Sequence, residues 1–480
     1  MLIFLLVVPV LLGTITLCMP GEEKRRIRRR FLMAGATLHF FGTGALYLPG
    51  VSKRVNDYLV LDDLGLLFLS ITSLLFFFVS IYSFGYFFRE EQGTALPAKG
   101  VKHLYTPCML FFLSVMTLTC TTQHLGLLWV GIEATTLATA PLIYYHHHEQ
   151  ALEATWKYLL ICSVGIALAL LGILFIAASG KGGGSRLFVP EFVAMAGKLD
   201  PRWLKLGFIL VLVGFGAKMG LAPMHSWLPD AHSEAPSPVS ALLSGALLNA
   251  AFLGILRTYQ ILAAASLAPF AGKLLTVLGI VSLGVAAIFI TAQKDFKRML
   301  AYSSVEHMGI LALGIGVGAG FGSLLHVINH SLTKALLFLL AGQIVLAYRT
   351  KKTSEVTGLF RTLPATSILF AAGGLAILGS PPFAPFLSEF LILRDGFQNG
   401  HPWAMSLYII FLGIIFVSMS KILFGMLEGE KREIEKIGRY RLMMVSPVLF
   451  AGAVFLFGFY LPPPLTHFLK NTALSLGGFR

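Results

Sequence analysis

The amino-acid sequence predicts an all-α integral membrane protein of about fourteen transmembrane helices. Three observations carry that prediction. Hydrophobic side chains make up 56% of the 480 residues and charged ones only 12%, against about 25% charged in soluble domains, and the mean hydropathy is +0.79. Apolar runs of roughly 20 residues, enough to cross a hydrocarbon core of about 30 Å, recur along the whole chain. The net charge of +14 sits in short basic blocks between those runs, which is the pattern that orients membrane helices, so no nucleic-acid partner is expected.

The first run, Met1 to Cys18, has no basic residue before it and KRRIRRR (24–30) after it, the reverse of a signal peptide. It reads as a retained first span with its N-terminus outside the cytoplasm. Later spans start near residues 31, 64, 105, 124, 153, 203, 239, 270, 298, 321, 364, 403 and 442. On that topology the cytoplasmic loops hold six basic residues in 24–30, three in 89–102, three in 294–298, four in 349–361 and five in 431–441, twenty-one in all. The outer loops, with Arg257 counted among them, hold twelve. The bias has the sign of a multi-pass protein of the cell's inner (plasma) membrane.

Cys18, Cys108, Cys120 and Cys162 stand alone in apolar segments without CxxC or Cys/His pairing, so no disulfide framework, zinc site or iron–sulfur cluster is expected. SGKGGGSR (179–186) lacks the GxxxxGK[ST] spacing of a phosphate loop and reads as a flexible connector. HHH (146–148) reads as an interfacial turn, because adjacent side chains diverge. Prolines break the helical pattern twice, in GAKMGLAPMHSWLPDAHSEAPSPVS (216–240) and in GSPPFAPFLSEF (379–390). Such breaks at membrane depth line a cavity or are buried in protein. Their spacing of five spans divides the chain into three N-terminal helices (1–104), two five-helix repeats (105–260 and 270–427) and a C-terminal helix with its tail (442–480).

An ionisable residue inside a span costs at least about 2.5 kcal/mol, so each one needs a reason. Glu133 lies in LLWVGIEATTLATAPLI with no other charge nearby; its plain alternative is a packing glutamate bonded to a Ser or Thr. Lys218 lies among Gly214, Gly216, Ala217 and Gly220, which let another helix or water approach. If the two meet, each eases the other's charging, and small movements would shift their protonation. HVINHSLTKALLF places His326, His330 and Lys334 on one helical face, a pattern suited to proton relay. Glu389 follows the second break and reads either as the terminal acid of that relay or as a helix-end cap.

GAKMGLAPMHSWLPDAHSEAPSPVSALLSG, DFKRMLAYSSVEHMG, HSLTKALLFLLAG and PPFAPFLSEF, in that order, resemble the antiporter-like, proton-conducting subunits of respiratory complex I, multisubunit cation/proton antiporters and membrane-bound [NiFe] hydrogenases. The form VGIEATTL with PPF and SEF is most similar to the F-type subunit of the hydrogenase-4 and formate hydrogenlyase group. The resemblance implies fourteen helices with two inverted five-helix repeats, each with a discontinuous helix. It also implies that Glu133 and Lys218 match an ion pair, Lys334 the lysine of the second half, His326 and His330 histidines on its helix, and Glu389 an exit-side acid. One position departs: Asn249 stands where many relatives carry a lysine or histidine, and an amide holds no proton at physiological pH.

The expected function is therefore a proton-translocating subunit of a membrane-bound redox complex, hydrogenase-linked, with other membrane subunits, protons or Na⁺ and the lipid bilayer as its partners. No redox, nucleotide or metal motif is present, so no cofactor and no catalytic centre of its own are expected. The alternatives are a cation/proton antiporter subunit without a redox partner and a non-pumping scaffold.

Overall fold

The computed structural model describes residues 1–21, 23–92, 102–180, 186–431 and 440–477, and these are helical almost throughout. Residues 181–185 of the connector expected at 179–186, and most of the basic block 431–441, lie outside the described residues. Three N-terminal helices, α1 (Leu2–Leu17), α2 (Arg25–Ala45) and α3 (Asp63–Gln92), precede α4 (Tyr105–Thr121), α5 (Leu125–Ile143) and α6 (Glu149–Ala178). The short α7 (Val189–Ala194) leads into α8 (Pro201–Met219), α9 (Trp227–Glu234), α10 (Ser237–Leu242) and α11 (Leu248–Ala264). The second half runs α12 (Ala268–Thr291), α13 (Phe296–Gly316), α14 (Gly320–Tyr348), α15 (Leu359–Thr362), α16 (Pro364–Ile377), α17 (Ala384–Gln398) and α18 (Pro402–Leu427). The chain closes with α19 (Tyr440–Phe459) and α20 (Pro463–Ser475).

Among the described residues, nine helices are long and apolar enough to cross a bilayer, and α1 and α16 are shorter apolar helices. The other runs expected to span fall on α2, α8 and α13, which hold more charged or polar side chains, such as Arg28, Lys218 and Glu306. Side chains place the helix starts: Asp200 accepts from Arg202 N, Asp295 from Lys297 N and Arg298 N, and the rings of His124 and His148 from Leu127 N and Ala151 N. Loops gather at two ends. Arg25, Arg28, Arg29 and Lys102 share one, where His146 faces Glu90 and Asp295 bridges to Lys352. The other end joins Leu59 to Thr122, His124 to Phe188 and Gln260 to the Ser475 carbonyl.

Both proline-rich breaks are present. α8 stops at Gly220, whose φ of 83° is the left-handed conformation glycine takes readily, and α9 restarts after the cis Ala222–Pro223 bond. α16 gives way at Gly379 and the cis Pro381–Pro382 bond, and α17 restarts at Ala384. The lysine helix α14 runs unbroken through Lys334. α6 and α8 pack backbone to backbone: a Cβ at Gly172 would stand 2.6 Å from the Gly207 carbonyl oxygen. The helix that the glycines near Lys218 admit is thus α6.

Arg257, assigned above to an outer loop, lies inside α11 and is only 1% exposed. The tertiary partner explains the correction. Asp62, just before α3, accepts from Nη1 at 2.5 Å and from Nη2 at 2.6 Å, a two-pronged bond that lets a guanidinium be buried. Arg257→Leu strands that carboxylate and is expected to destabilise the bundle by about 2 kcal/mol, the scale of hydrogen bonds to a charged group. A lower thermal unfolding midpoint in detergent is the readout.

Candidate proton path

Lys218, in the last turn of α8, is fully buried. Its Nζ donates to Thr136 Oγ1 at 2.8 Å and to Tyr158 Oη at 2.6 Å, and lies 4.5 Å from the Tyr158 ring centre. Thr136 Oγ1 donates to Glu133 Oε2 at 3.1 Å, and Ser163 Oγ to Glu133 Oε1 at 3.1 Å. The structure thus joins Glu133 to Lys218 through a threonine hydroxyl. Thr136 is three residues beyond Glu133 on α5, so one helical face presents both. Glu133 is only half-buried and sits near Leu137 and Val164, each 63% exposed, on the lateral face of the bundle.

Across the break, Trp227 of α9 lies against the Tyr158 ring at 4.9 Å and donates to the Ala217 carbonyl at 2.8 Å. Asp230 anchors α9 by accepting from Lys157 and Arg298, each at 2.9 Å. Asn249 follows a π-helical stretch, Leu243–Leu247, a distortion common at functional sites. Its Nδ2 donates to the Gly245 carbonyl and to Ser331 Oγ, both at 2.8 Å, while Oδ1 is buried with no hydrogen-bond partner among the described residues. Ser244 and Ser304 hydroxyls meet at 2.8 Å. At the junction between the halves the hydrogen-bonded side chains are thus Asn249 with Ser331 and Ser244 with Ser304.

In the second half, Lys334 of α14 is fully buried and donates to the Leu300 carbonyl at 2.8 Å and to Ser303 Oγ. Glu306, three residues past Ser303 on α13, is 2% exposed. Next to it, His307 Nδ1 meets His326 Nε2 at 2.9 Å, and His307 Nε2 meets the Ile377 carbonyl at 3.1 Å. A carbonyl only accepts, so a neutral His307 carries its proton on Nε2 and accepts from His326. His326 Nδ1 then faces Ser388 Oγ at 2.9 Å. The result is a hydrogen-bonded chain of hydroxyl, two imidazoles and carbonyl across α17, α14, α13 and α16; at its hydroxyl end Ser388 Oγ also donates to the Pro385 carbonyl at 2.9 Å and accepts from Asn329 Nδ2 at 3.0 Å.

His330 shares the α14 stripe with His326 and Lys334, but neither ring nitrogen has a hydrogen-bond partner among the described residues. Its ring centre lies 5.2 Å from that of His307 and 6.5 Å from that of His326. Glu389 is the sixth residue of α17 and buried, so it does not cap the helix. Its Oε2 packs against Gly379, where φ is 64° and a Cβ would collide with the carboxylate. One donor atom each from His307, His326 and Glu389 lie within 4.8 Å of one another. That spacing would admit a cation, but the facing ring nitrogens are already bonded to each other.

Glu306 and His307 were not singled out from the sequence, nor were Thr136 and Tyr158. Glu306 obeys the rule that picked Glu133: an ionisable residue inside a predicted span. Thr136 and Tyr158 carry no such signal.

A cavity of about 800 Å³ opens at one end of α13, where Ile315, Phe321, Lys273, Arg394 and Lys470 line it. Residues 122–415 match the family described as NADH:quinone oxidoreductase/Mrp antiporter, TM. A hydrogenase-4 component F homolog of Methylacidiphilum infernorum is 36% identical over 451 residues, covering 90% of this chain and 92% of that protein. Hydrogenase-4 component B of Escherichia coli is 31% identical over 362 residues, and the chain spans about half of it, 52%. A chain of the membrane-bound sulfane sulfur reductase, an archaeal respiratory membrane complex, shares the fold with a TM-score of 0.85 at 20% identity, covering 99% of this chain and 97% of that one. The protein thus belongs to the NADH:quinone oxidoreductase/Mrp antiporter family of antiporter-like membrane subunits.

Proposed function

We propose that this chain translocates protons as a subunit of a hydrogenase-linked redox complex in the cell's inner membrane. The observation that carries this reading is the series of polar groups, buried except for the half-exposed Glu133, that comprises Glu133, Thr136, Lys218 and Tyr158, then Asn249 and Ser331, then Lys334, Glu306, His307, His326 and Glu389. Each such group opposes insertion, and together they supply donors and acceptors for a proton. A neighbouring membrane subunit covers the lateral face at Glu133, since a half-exposed carboxylate facing lipid is unfavourable. A change of charge there loosens Glu133 from Thr136 and so alters the hold on Lys218. Lys218 passes its proton along the hydroxyl junction, with water at Asn249, to Lys334; the histidine pair and Glu389 pass it out.

The basic loops mark the cytoplasmic end, which makes the cavity at Arg394 and Lys470 the outer mouth and leaves the N-terminus outside. The test is to purify the complex through a tag on this chain, reconstitute it in vesicles and follow the lumenal pH during turnover with hydrogenase substrates. Redox-driven acidification or alkalinisation without added Na⁺ is expected. Turnover with no proton movement, or movement strictly dependent on Na⁺, would refute the reading.

A further inference from the structure

His307 and His326 face each other across a contact whose protons depend on a single hydroxyl. The Nε2–H of His307 donates to the Ile377 carbonyl at 3.1 Å, which leaves Nδ1 with a lone pair aimed at His326 Nε2, 2.9 Å away. On the far side of its ring, His326 Nδ1 faces Ser388 Oγ at 2.9 Å. That hydroxyl has one proton and two acceptors for it, the Pro385 carbonyl at 2.9 Å and the His326 ring. Asn329 Nδ2 donates to the same oxygen at 3.0 Å. When Ser388 donates to His326, the pair closes as a neutral chain. When it donates to Pro385, its oxygen accepts from both Asn329 and His326 Nδ1–H, and two ring lone pairs are left facing each other. A positive ion between them relieves that arrangement.

Glu389 completes a socket for such an ion. One donor atom each of His307, His326 and Glu389 lie within 4.8 Å of one another, all three residues are buried, and Glu389 Oε1 has no hydrogen-bond partner among the described residues. The three stand on different helices, α13, α14 and α17, so helix packing sets their spacing. Glu306, next to His307, lies within electrostatic reach of Glu389, so a dication meets two carboxylates there; Lys334 is the opposing cation.

Two imidazole nitrogens and a carboxylate oxygen suit a borderline divalent metal, whereas Mg²⁺ and Ca²⁺ prefer oxygen alone. Zinc–nitrogen bonds of about 2.0–2.1 Å at the tetrahedral angle put two nitrogens about 3.3 Å apart, so the rings need part by only roughly 0.4 Å. The outer shell is already in place. His307 turns its other nitrogen to the Ile377 carbonyl and His326 turns its own to Ser388, which is how zinc-bound histidines are fixed in tautomer and orientation. Ile315, about 12 Å further along α13, lines the outer cavity, from which the ion arrives.

We propose that His307 Nδ1, His326 Nε2 and the Glu389 carboxylate form a zinc-binding site whose occupation closes the outward half of the path. The closure rests on the proton-translocating reading above; the site rests on its ligand geometry. Zinc engages both lone pairs through which the imidazoles exchange a proton and takes the carboxylate beyond them.

The test uses the whole complex, stripped with a chelator and dialysed against zinc chloride, with bound zinc counted by elemental analysis. Wild type is expected to hold one zinc per copy of this chain that His307→Gln and Glu389→Gln both lack, since an amide is a poor zinc ligand. Equal zinc content in all three overturns the site. Ser388→Ala spares the ligands and removes the acceptor behind His326; zinc affinity is expected to fall about tenfold or more. Cobalt(II) in the wild type is expected to give the visible absorption of a tetrahedral nitrogen–oxygen site. If the ligand variants fail to assemble, these two arms decide, and unchanged affinity with no tetrahedral cobalt spectrum overturns the site. In vesicles, redox-driven proton flux is expected to fall in step with zinc occupancy and to return with chelator. Unchanged flux at full occupancy overturns the closure. A complex that moves no protons before zinc is added sinks the translocation reading, and the zinc count still decides the site.

Discussion

Lys218→Met is expected to abolish proton movement while leaving the subunit in its complex. Methionine is close to the lysine stem in length and fills the pocket against Tyr158 without a charge. The substitution removes two hydrogen bonds, to Thr136 and Tyr158, but both hydroxyls keep other partners, Glu133 and Thr139. The stability change is therefore modest, because a buried ammonium in an apolar setting contributes little net favourable energy and its apolar replacement is often tolerated. The functional change is large. Without the amine, the remaining hydrogen-bonded groups of this contact chain are the hydroxyls of Thr136 and Tyr158, which do not take up a proton near neutral pH, and Tyr158 keeps its bond to Thr139. Redox-driven pH change in vesicles, normalised to complex recovered on a native gel, is the measurement. Undiminished pumping in the assembled variant removes Lys218 from the path. Glu133→Gln provides the comparison: it keeps the Thr136 contact as an amide and removes the charge that an adjoining subunit would act on, so flux falls with Lys218 still in place.

The architecture and the charged residues within it were readable from the chain for one physical reason: a bilayer penalises polarity heavily enough that composition alone reveals a span, and a proline or a charge inside one stands out. Thus Lys218, Lys334 and both breaks were placed by residue type and position. What could not be read were relations between helices. The expected meeting of Glu133 with Lys218 turned out to be indirect, because the rotamer that sends Thr136 between them depends on how α5, α6 and α8 pack. Arg257 was misplaced for a similar reason, since its partner Asp62 is almost two hundred residues away in sequence. Glu306 and His307 are a different kind of omission. AYSSVEHMG mixes serine, tyrosine, glutamate and histidine, so no single charge stands out in it as Glu133 does in its apolar span. In the folded chain Ser303, Ser304, Glu306 and His307 are all buried.

His307→Phe is expected to stop the outward half of the path, and it tests whether the imidazole pair works as a wire. Phenylalanine preserves the ring that stacks on His326, whose centre is 5.1 Å away with planes 19° apart, so the packing of α13 on α14 survives. It cannot accept from His326 Nε2 or donate to the Ile377 carbonyl, and both are left buried without a partner. That stranding costs about 1–3 kcal/mol for each group, enough to lower the unfolding midpoint but not to dismantle a bundle of this size. The loss of flux is expected to be about a hundredfold or more, because a proton leaving Lys334 can no longer pass through His307 to reach Glu389. A structural role alone would make the loss of flux scale with the loss of assembled complex. A wire makes flux vanish in complex that is fully assembled. His307→Gln sharpens the distinction: its amide can accept from His326 and donate to the carbonyl, restoring both hydrogen bonds, yet it does not titrate. Recovery of stability without recovery of pumping in that variant would assign His307 to proton transfer, and recovery of both would reduce it to a hydrogen-bonded strut holding α13 against α14 and α16.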